Sequence, residues 1–174
     1  MIFLGIGSNL PSKFGNRFKN IILATSHLKQ SNIEIVKQSS FYETFAYPNK
    51  SDPKFINIVI SVKTKLTISE LMSLLIKIEK KLERKRSKKN EPRTCDIDII
   101  DYNGEVFSSE ELKIIVPHKS MSSRNFVLYP LKEICPSWMH PLTKKNIDNL
   151  IKDLNTSNNE ITKLNQNDIN NHVK

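Results

Sequence analysis

The sequence predicts an α+β domain with the element order β-α-β-β-α-β, on three observations. Stretches of strand character recur at residues 2–6, 33–44, 55–64 and 95–102, two stretches of helical period separate them, and turn residues mark the junctions.

Ile2-Phe3-Leu4-Gly5-Ile6 reads as a buried first strand that ends in the turn residues Gly7-Ser8-Asn9. Phe18, Ile21, Ile22, Thr25 and Leu28 then follow at helical spacing. Residues 33–44 return to extended character, and Ser51-Asp52-Pro53 forms a loop before the strand over 55–64. Thr67-Ile68-Ser69-Glu70 is a capping box, in which Thr67 accepts from the Glu70 amide and Glu70 reaches back. It opens a helix whose apolar stripe is Ile68, Leu71, Met72, Leu75, Ile78 and Leu82, with Glu79 beside the stripe. A basic loop over 83–94 leads into the last strand, 95–102, which Asn103-Gly104 turns into a hairpin. This order describes a ferredoxin-like core, an antiparallel sheet with helices on one face. Appended to it are a C-terminal hairpin and short helices over 126–133 and 147–154, while the Asn-rich stretch 155–174 reads as a disordered tail.

The 174 residues suffice for one sizeable core, so a single domain over 1–154 is expected. No apolar run approaches the roughly 18 residues that span a bilayer, and the N-terminal apolar segment is too short for a signal-type region. A soluble cytoplasmic protein is expected. Cys95 and Cys135 match no metal or redox spacing and read as packing residues in a reducing compartment. The net charge of +9 favours anionic partners without choosing among nucleic acid, membrane surface and phosphorylated small molecules.

Strand alternation in Cys95-Asp96-Ile97-Asp98-Ile99 puts both carboxylates on one face, with Cα atoms about 6.6 Å apart. Two metal ions in phosphoryl-transfer sites lie roughly 3.5–4 Å apart, a pair that two such carboxylates can bracket. By itself Asp-x-Asp also describes the solvent side of an amphipathic strand. Its context is cationic, however: Arg84, Lys85, Arg86, Lys88, Lys89 and Arg93 crowd the loop before it, and arginine forks match phosphate oxygens. On the strand over 55–64, Ile56, Ile58, Ile60 and Val62 form the buried face, so Phe55 and Asn57 point the other way together. A flat heterocycle can stack on that ring while the amide reads its edge. Val116-Pro117-His118 and Arg124-Asn125-Phe126 form a third cluster, weak on sequence alone. Glycines are too few for a P-loop or a dinucleotide fingerprint, which leaves cations and metal to bind phosphate.

Read together, Gly7-Ser8-Asn9, Ser40-Phe41-Tyr42-Glu43-Thr44, Phe55-Ile56-Asn57, Pro92-Arg93-Thr94-Cys95-Asp96-Ile97-Asp98 and Val116-Pro117-His118 through Arg124-Asn125-Phe126 resemble hydroxymethyldihydropterin pyrophosphokinases of folate biosynthesis, from about Ile2 to Pro141. The resemblance implies transfer of a pyrophosphoryl group from ATP to the hydroxymethyl oxygen of a reduced pterin, with AMP leaving. By matched position, Asp96 and Asp98 hold two Mg2+ ions and act in catalysis with Arg84 and Arg93. Thr44, Phe55, Asn57 and Phe126 bind the pterin; Glu79, Arg84, Arg86, Arg93, Ile99, His118 and Arg124 surround ATP. A monomer acting on these two small molecules, without nucleic acid or membrane, is the expected form. The chain departs from the family's habit at Asn90-Glu91, at Phe45-Ala46, at Phe55 in place of tyrosine and at Lys119.

Two other readings stay open on sequence. An RNA-binding RRM shares this element order, but no aromatic RNP stretch is present. A pterin or nucleotide sensor that binds without turnover is the second.

Overall fold

The computed structural model describes residues 1–85, 91–111, 114–154, 160–165 and 167–169. Its elements depart from the expected order only in having three strands between the first two helices: β1 (Ile2–Ser8), α1 (Arg17–Gln30), β2 (Glu34–Gln38), β3 (Tyr42–Thr44), β4 (Phe55–Lys63), α2 (Ile68–Lys81) and β5 (Asp96–Tyr102). After these come β6 (Phe107–Ser109), β7 (Ile114–Val116), α3 (Asn125–Ile134), α4 (Ile147–Lys152) and β8 (Ile161–Lys163).

Both long helices start where their sequences say. Asn16 caps α1 by accepting from the Lys19 amide at 3.1 Å. The Thr67–Glu70 capping box closes in both directions, a motif whose cap residue contributes about 1 kcal/mol. The expected extended stretch over 33–44 is two strands, because Ser39 turns its hydroxyl to the Val59 amide at 3.0 Å and interrupts the ladder. Both halves pair with β4, which itself pairs with β1, and β1 with β5; every pairing is antiparallel. Asn103 and Gly104, both at positive φ, make the turn after β5, as their side chains permit. The hairpin that follows, β6–β7, forms its own two-stranded sheet.

Within the stretch read as a disordered tail, Ile161–Lys163 pair with β3 and extend the main sheet to the order β5-β1-β4-β3-β8. Tail composition is polar, but a sheet edge offers main-chain hydrogen bonds that need no apolar residue.

The sheet is covered on both faces. Ile56, Ile58, Ile60 and Val62, with Leu4, Ile6, Ile97 and Ile99, pack under α1 and α2 through Phe18, Ile21, Leu71, Leu75 and Ile78. Each such buried side chain contributes about 1.5–3 kcal/mol. On the other face Phe3, Val59 and Ile100 carry α3 and α4 through Val127, Leu128, Leu131, Ile147 and Leu150. The expectation of helices on one face holds for α1 and α2 only. Along β1 the second face continues from Phe3 to Gly5 and Gly7, and the missing side chains leave a hollow at that end. Among the described residues no helix is long and apolar enough to cross a membrane.

Candidate active site

The hollow is a cleft of about 630 Å3 floored by Gly5 and Gly7. Sheet register sets its plan: Gly7 lies between Asn57 of β4 and Asp96 of β5, and Gly5 lies between Val59 and Asp98. Two glycines thus separate an amide wall from a carboxylate wall. A larger residue at Gly7 would displace the amide, since a Cβ there would stand 2.9 Å from Asn57 Oδ1.

On the carboxylate side, Asp96 meets Arg84 Nη2 at 3.3 Å and Arg93 Nε at 3.1 Å, and Asp98 meets Arg124 Nη1 at 3.4 Å. His118, whose amide bonds the Ile100 carbonyl, brings Nε2 to 4.0 Å from Asp98. Burial, with Arg124 adding to it, lowers the His118 pKa to about 4, so the ring is neutral near pH 7. Its Nδ1 faces the Ser120 amide at 3.3 Å and must accept, which leaves the proton on Nε2, toward Asp98. Asp98 has its carboxyl raised above the ordinary range by its deep position, with Arg124 opposing. Arg84 keeps Nε and Nη1 buried without a hydrogen-bond partner among the described residues. Buried guanidinium donors left open beside a carboxylate suit an anion with several oxygens.

On the amide side, Asn57 is buried and donates through Nδ2 to Thr44 Oγ1 at 3.1 Å, which presents acceptor and donor atoms side by side at the cleft wall. Phe55 of β4 and Phe126 of α3 both line the cleft, although they belong to distant parts of the chain. Arg93 stands over the Phe55 ring, with its guanidinium carbon 5.1 Å from the centroid, and Arg124 stands over Phe126 at 5.5 Å.

The carboxylates also suit magnesium as a donor set. Among the described residues no group of three His, Cys, Asp or Glu converges. Mg2+ normally takes one or two carboxylates and completes its shell with water and substrate phosphates, which is what Asp96 and Asp98 beside open arginine donors provide.

The structure brings together Thr44, Phe55, Asn57, Arg93, Asp96, Asp98, Arg124 and Phe126 at one cleft, with Arg84 and His118 against its carboxylates. The side chains of two expected ATP neighbours do not line this cleft. Ile99 packs its side chain in the core under the helices, because strand alternation turns it away from Asp98. Glu79 is 2% exposed and accepts from the Ile97 amide at 2.8 Å, so it holds the main chain of the edge strand that carries the carboxylates. Arg86 lies outside the described residues, as do Lys88, Lys89 and Asn90. Cys95 is buried, and burial raises its thiol far above the usual range, in keeping with packing. Asn9, to which the sequence assigned no role, bridges the site: Oδ1 accepts from the Arg93 amide at 2.6 Å and Nδ2 donates to the Pro53 carbonyl at 2.9 Å. Its only sequence signal is its place in Gly7-Ser8-Asn9.

The family model described as 7,8-dihydro-6-hydroxymethylpterin-pyrophosphokinase (HPPK) matches residues 3–136. The chain belongs to this family. A pyrophosphokinase of Aquifex aeolicus, named for 2-amino-4-hydroxy-6-hydroxymethyldihydropteridine, is 39% identical over 144 residues, 83% of this chain and 86% of that protein. The Bacillus subtilis protein of the same name is 38% identical over 134 residues, 76% and 77% of the two chains. Among solved structures, a Plasmodium falciparum HPPK-DHPS superposes with a TM-score of 0.64 at 15% identity and shows a shared fold. That match covers 87% of this chain and 42% of the longer Plasmodium chain.

Proposed function

We infer that this protein transfers a pyrophosphoryl group from ATP to the hydroxymethyl group of 6-hydroxymethyl-7,8-dihydropterin and releases AMP, a step of folate biosynthesis. Family membership over most of the chain carries that activity. The glycine-floored cleft, with aromatic rings and an amide at one wall and paired carboxylates and arginines at the other, is the geometry that supports it.

The pterin is read as lying between Phe55 and Phe126, with Asn57 and Thr44 bonding its polar edge. Arg84, Arg93 and Arg124 are read as taking the phosphates, with His118 offering its Nε2 proton to a phosphate oxygen as a neutral donor. Asp96 and Asp98 are read as holding two Mg2+ ions. When bound there, magnesium would supply positive charge to offset that of the phosphate oxygens. The hydroxymethyl oxygen attacks the β-phosphorus; a new C–O–P linkage forms while the bond from the β-phosphorus to the oxygen joining it to the α-phosphorus breaks, and that oxygen leaves with AMP. The side chains contribute in-line positioning and charge neutralisation, and no residue is assigned as general base.

The scaffold supports a finer reading too. Antiparallel β5-β1-β4 flanked by β2 and β3, under two helices on one face, is the order expected of a ferredoxin-like unit.

The test is AMP formation from ATP, which should require both Mg2+ and the reduced pterin. Asp96→Ala and Asp98→Ala should each abolish it while pterin binding persists. Folded protein that makes no AMP under these conditions would overturn the catalytic reading, and unchanged turnover in either variant would overturn the metal assignment.

A further inference from the structure

Glu133 stands at the last turn of α3, away from the carboxylates and arginines, and the chemistry above makes no use of it. Its carboxylate nevertheless gathers partners from the segment before β3, from β3 itself and from the edge strand β8. Oε1 accepts from Ser40 Oγ at 2.8 Å and from Lys163 Nζ of β8 at 3.1 Å. Oε2 accepts from the Tyr42 hydroxyl at 2.8 Å and from the Ser40 amide at 3.2 Å. Beside it, Lys37 of β2 donates to the Ile134 carbonyl at 3.2 Å, so the same helix end is tied to a third strand. These bonds hold the Glu133 carboxyl below its ordinary range and, with burial, push the Tyr42 phenol above its own.

Each end of this tie leads to the cleft. Tyr42 pairs in register with Asn57, and two positions along β3 lies Thr44, which Asn57 bonds. Phe126 precedes Glu133 by two turns on the same side of α3. One carboxylate therefore joins the wall that reads an edge to the helix that supplies a ring. A heterocycle stacked on both faces needs walls about 7 Å apart, twice the optimal carbon separation of roughly 3.5 Å. A gap of about 0.5–1 Å already forfeits a quarter to a half of each contact. A small outward swing of α3 would be felt more by a ring stacked on Phe126 than by phosphates, for which Arg84 and Arg93 beside β5 stay in place and only Arg124, at the start of α3, moves.

We propose that Glu133 is a positioning residue for the reduced pterin: through Ser40, Tyr42 and Lys163 it fixes the distance between Phe126 and the Phe55–Asn57–Thr44 wall, and it touches neither substrate. The proposal rests on the reading that places the pterin at that end of the cleft. It also gives β8 a task, since Lys163 is one arm of the tie.

The experiment measures binding of the reduced pterin and of a non-hydrolysable ATP analogue to Glu133→Ala, Glu133→Gln, Tyr42→Phe, Lys163→Met and Asn57→Ala, with melting temperatures alongside. Glu133→Ala should weaken pterin binding about tenfold, a loss typical of removed charge-assisted bonds, and weaken the ATP analogue far less, since Arg84 and Arg93 do not depend on α3. Glu133→Gln, which keeps one acceptor oxygen, should fall between wild type and Glu133→Ala. Tyr42→Phe and Lys163→Met each remove one arm and should show the same selectivity with smaller loss, which keeps the test open should Glu133→Ala fail to fold. Equal weakening of both ligands would mean a merely structural tie and would overturn the proposal. Unchanged pterin affinity in the Glu133, Tyr42 and Lys163 variants, with Asn57→Ala impaired, would overturn it as well. Unchanged affinity in Asn57→Ala would instead remove the pterin reading on which it stands.

Discussion

The Arg93 guanidinium carbon lies 5.1 Å from the centre of the Phe55 ring while its Nε is 3.1 Å from an Asp96 carboxylate oxygen. Arg124 repeats the arrangement across the cleft, 5.5 Å from Phe126 and 3.4 Å from Asp98. Each arginine spans one ring and one carboxylate, the groups read as holding pterin and metal. In the structure each cation satisfies both; on the reading proposed above, phosphate oxygens would replace the carboxylate as its partner.

Arg93→Ala should lower kcat by about 10²–10³, the usual loss when one preorganised donor to developing charge is removed. Initial rates of AMP formation, compared with a thermal melt of the same variant, separate this from misfolding. Arg93→Lys should recover only part of the rate, because an ammonium cannot bond two oxygens and cover a ring at once.

Gly7→Ala places a methyl group 2.9 Å from Asn57 Oδ1, so the amide must turn or retreat. Weakened pterin binding with ATP-analogue binding unchanged is the expected result, by about 1–3 kcal/mol for a polar group deprived of its partner. A titration of each ligand checks it; equal losses for both would show that the whole floor had moved.

Asn9 is 1% exposed and holds the Arg93 main chain against the Pro53 loop. Asn9→Ala strands the Arg93 N–H and the Pro53 carbonyl, at a cost of about 1–3 kcal/mol in stability, and loosens the arginine that follows Pro92. Urea denaturation should show the first effect and a reduced kcat the second. Asn9→Asp keeps the acceptor for Arg93 and should recover turnover more than Asn9→Ala does.

His118 titrates near 6.5 in an unfolded chain and at about 4 in the folded one. Between these values the unfolded state binds more protons, so substrate-free protein should lose stability as pH falls from about 6.5 to about 4. The full loss is about 3 kcal/mol for a shift of this size. His118→Gln should flatten that part of a urea-midpoint profile, with His140, also lowered by burial, retaining a contribution of the same sign. An unaltered slope in the variant would show that His118 is not the buried neutral ring described.

Local sequence determined the elements and their faces. The Thr67–Glu70 box, the stripe through Leu71, Leu75 and Ile78, and the alternation that separates Asp96 and Asp98 from Ile97 and Ile99 need only neighbouring residues, and all stand in the structure. The same alternation put Phe55 beside Asn57, and both line the cleft. Tertiary structure decided what no period encodes. It set Glu79 on the Ile97 amide and gave Asn9 to Arg93. It added β8 to an edge strand and gathered Ser40, Tyr42 and Lys163 on Glu133. These contacts join groups far apart in the chain through single polar atoms, so their energy depends on where the folded elements come to rest. Burial of apolar faces fixes those positions, and the polar partners become readable only once the faces have met.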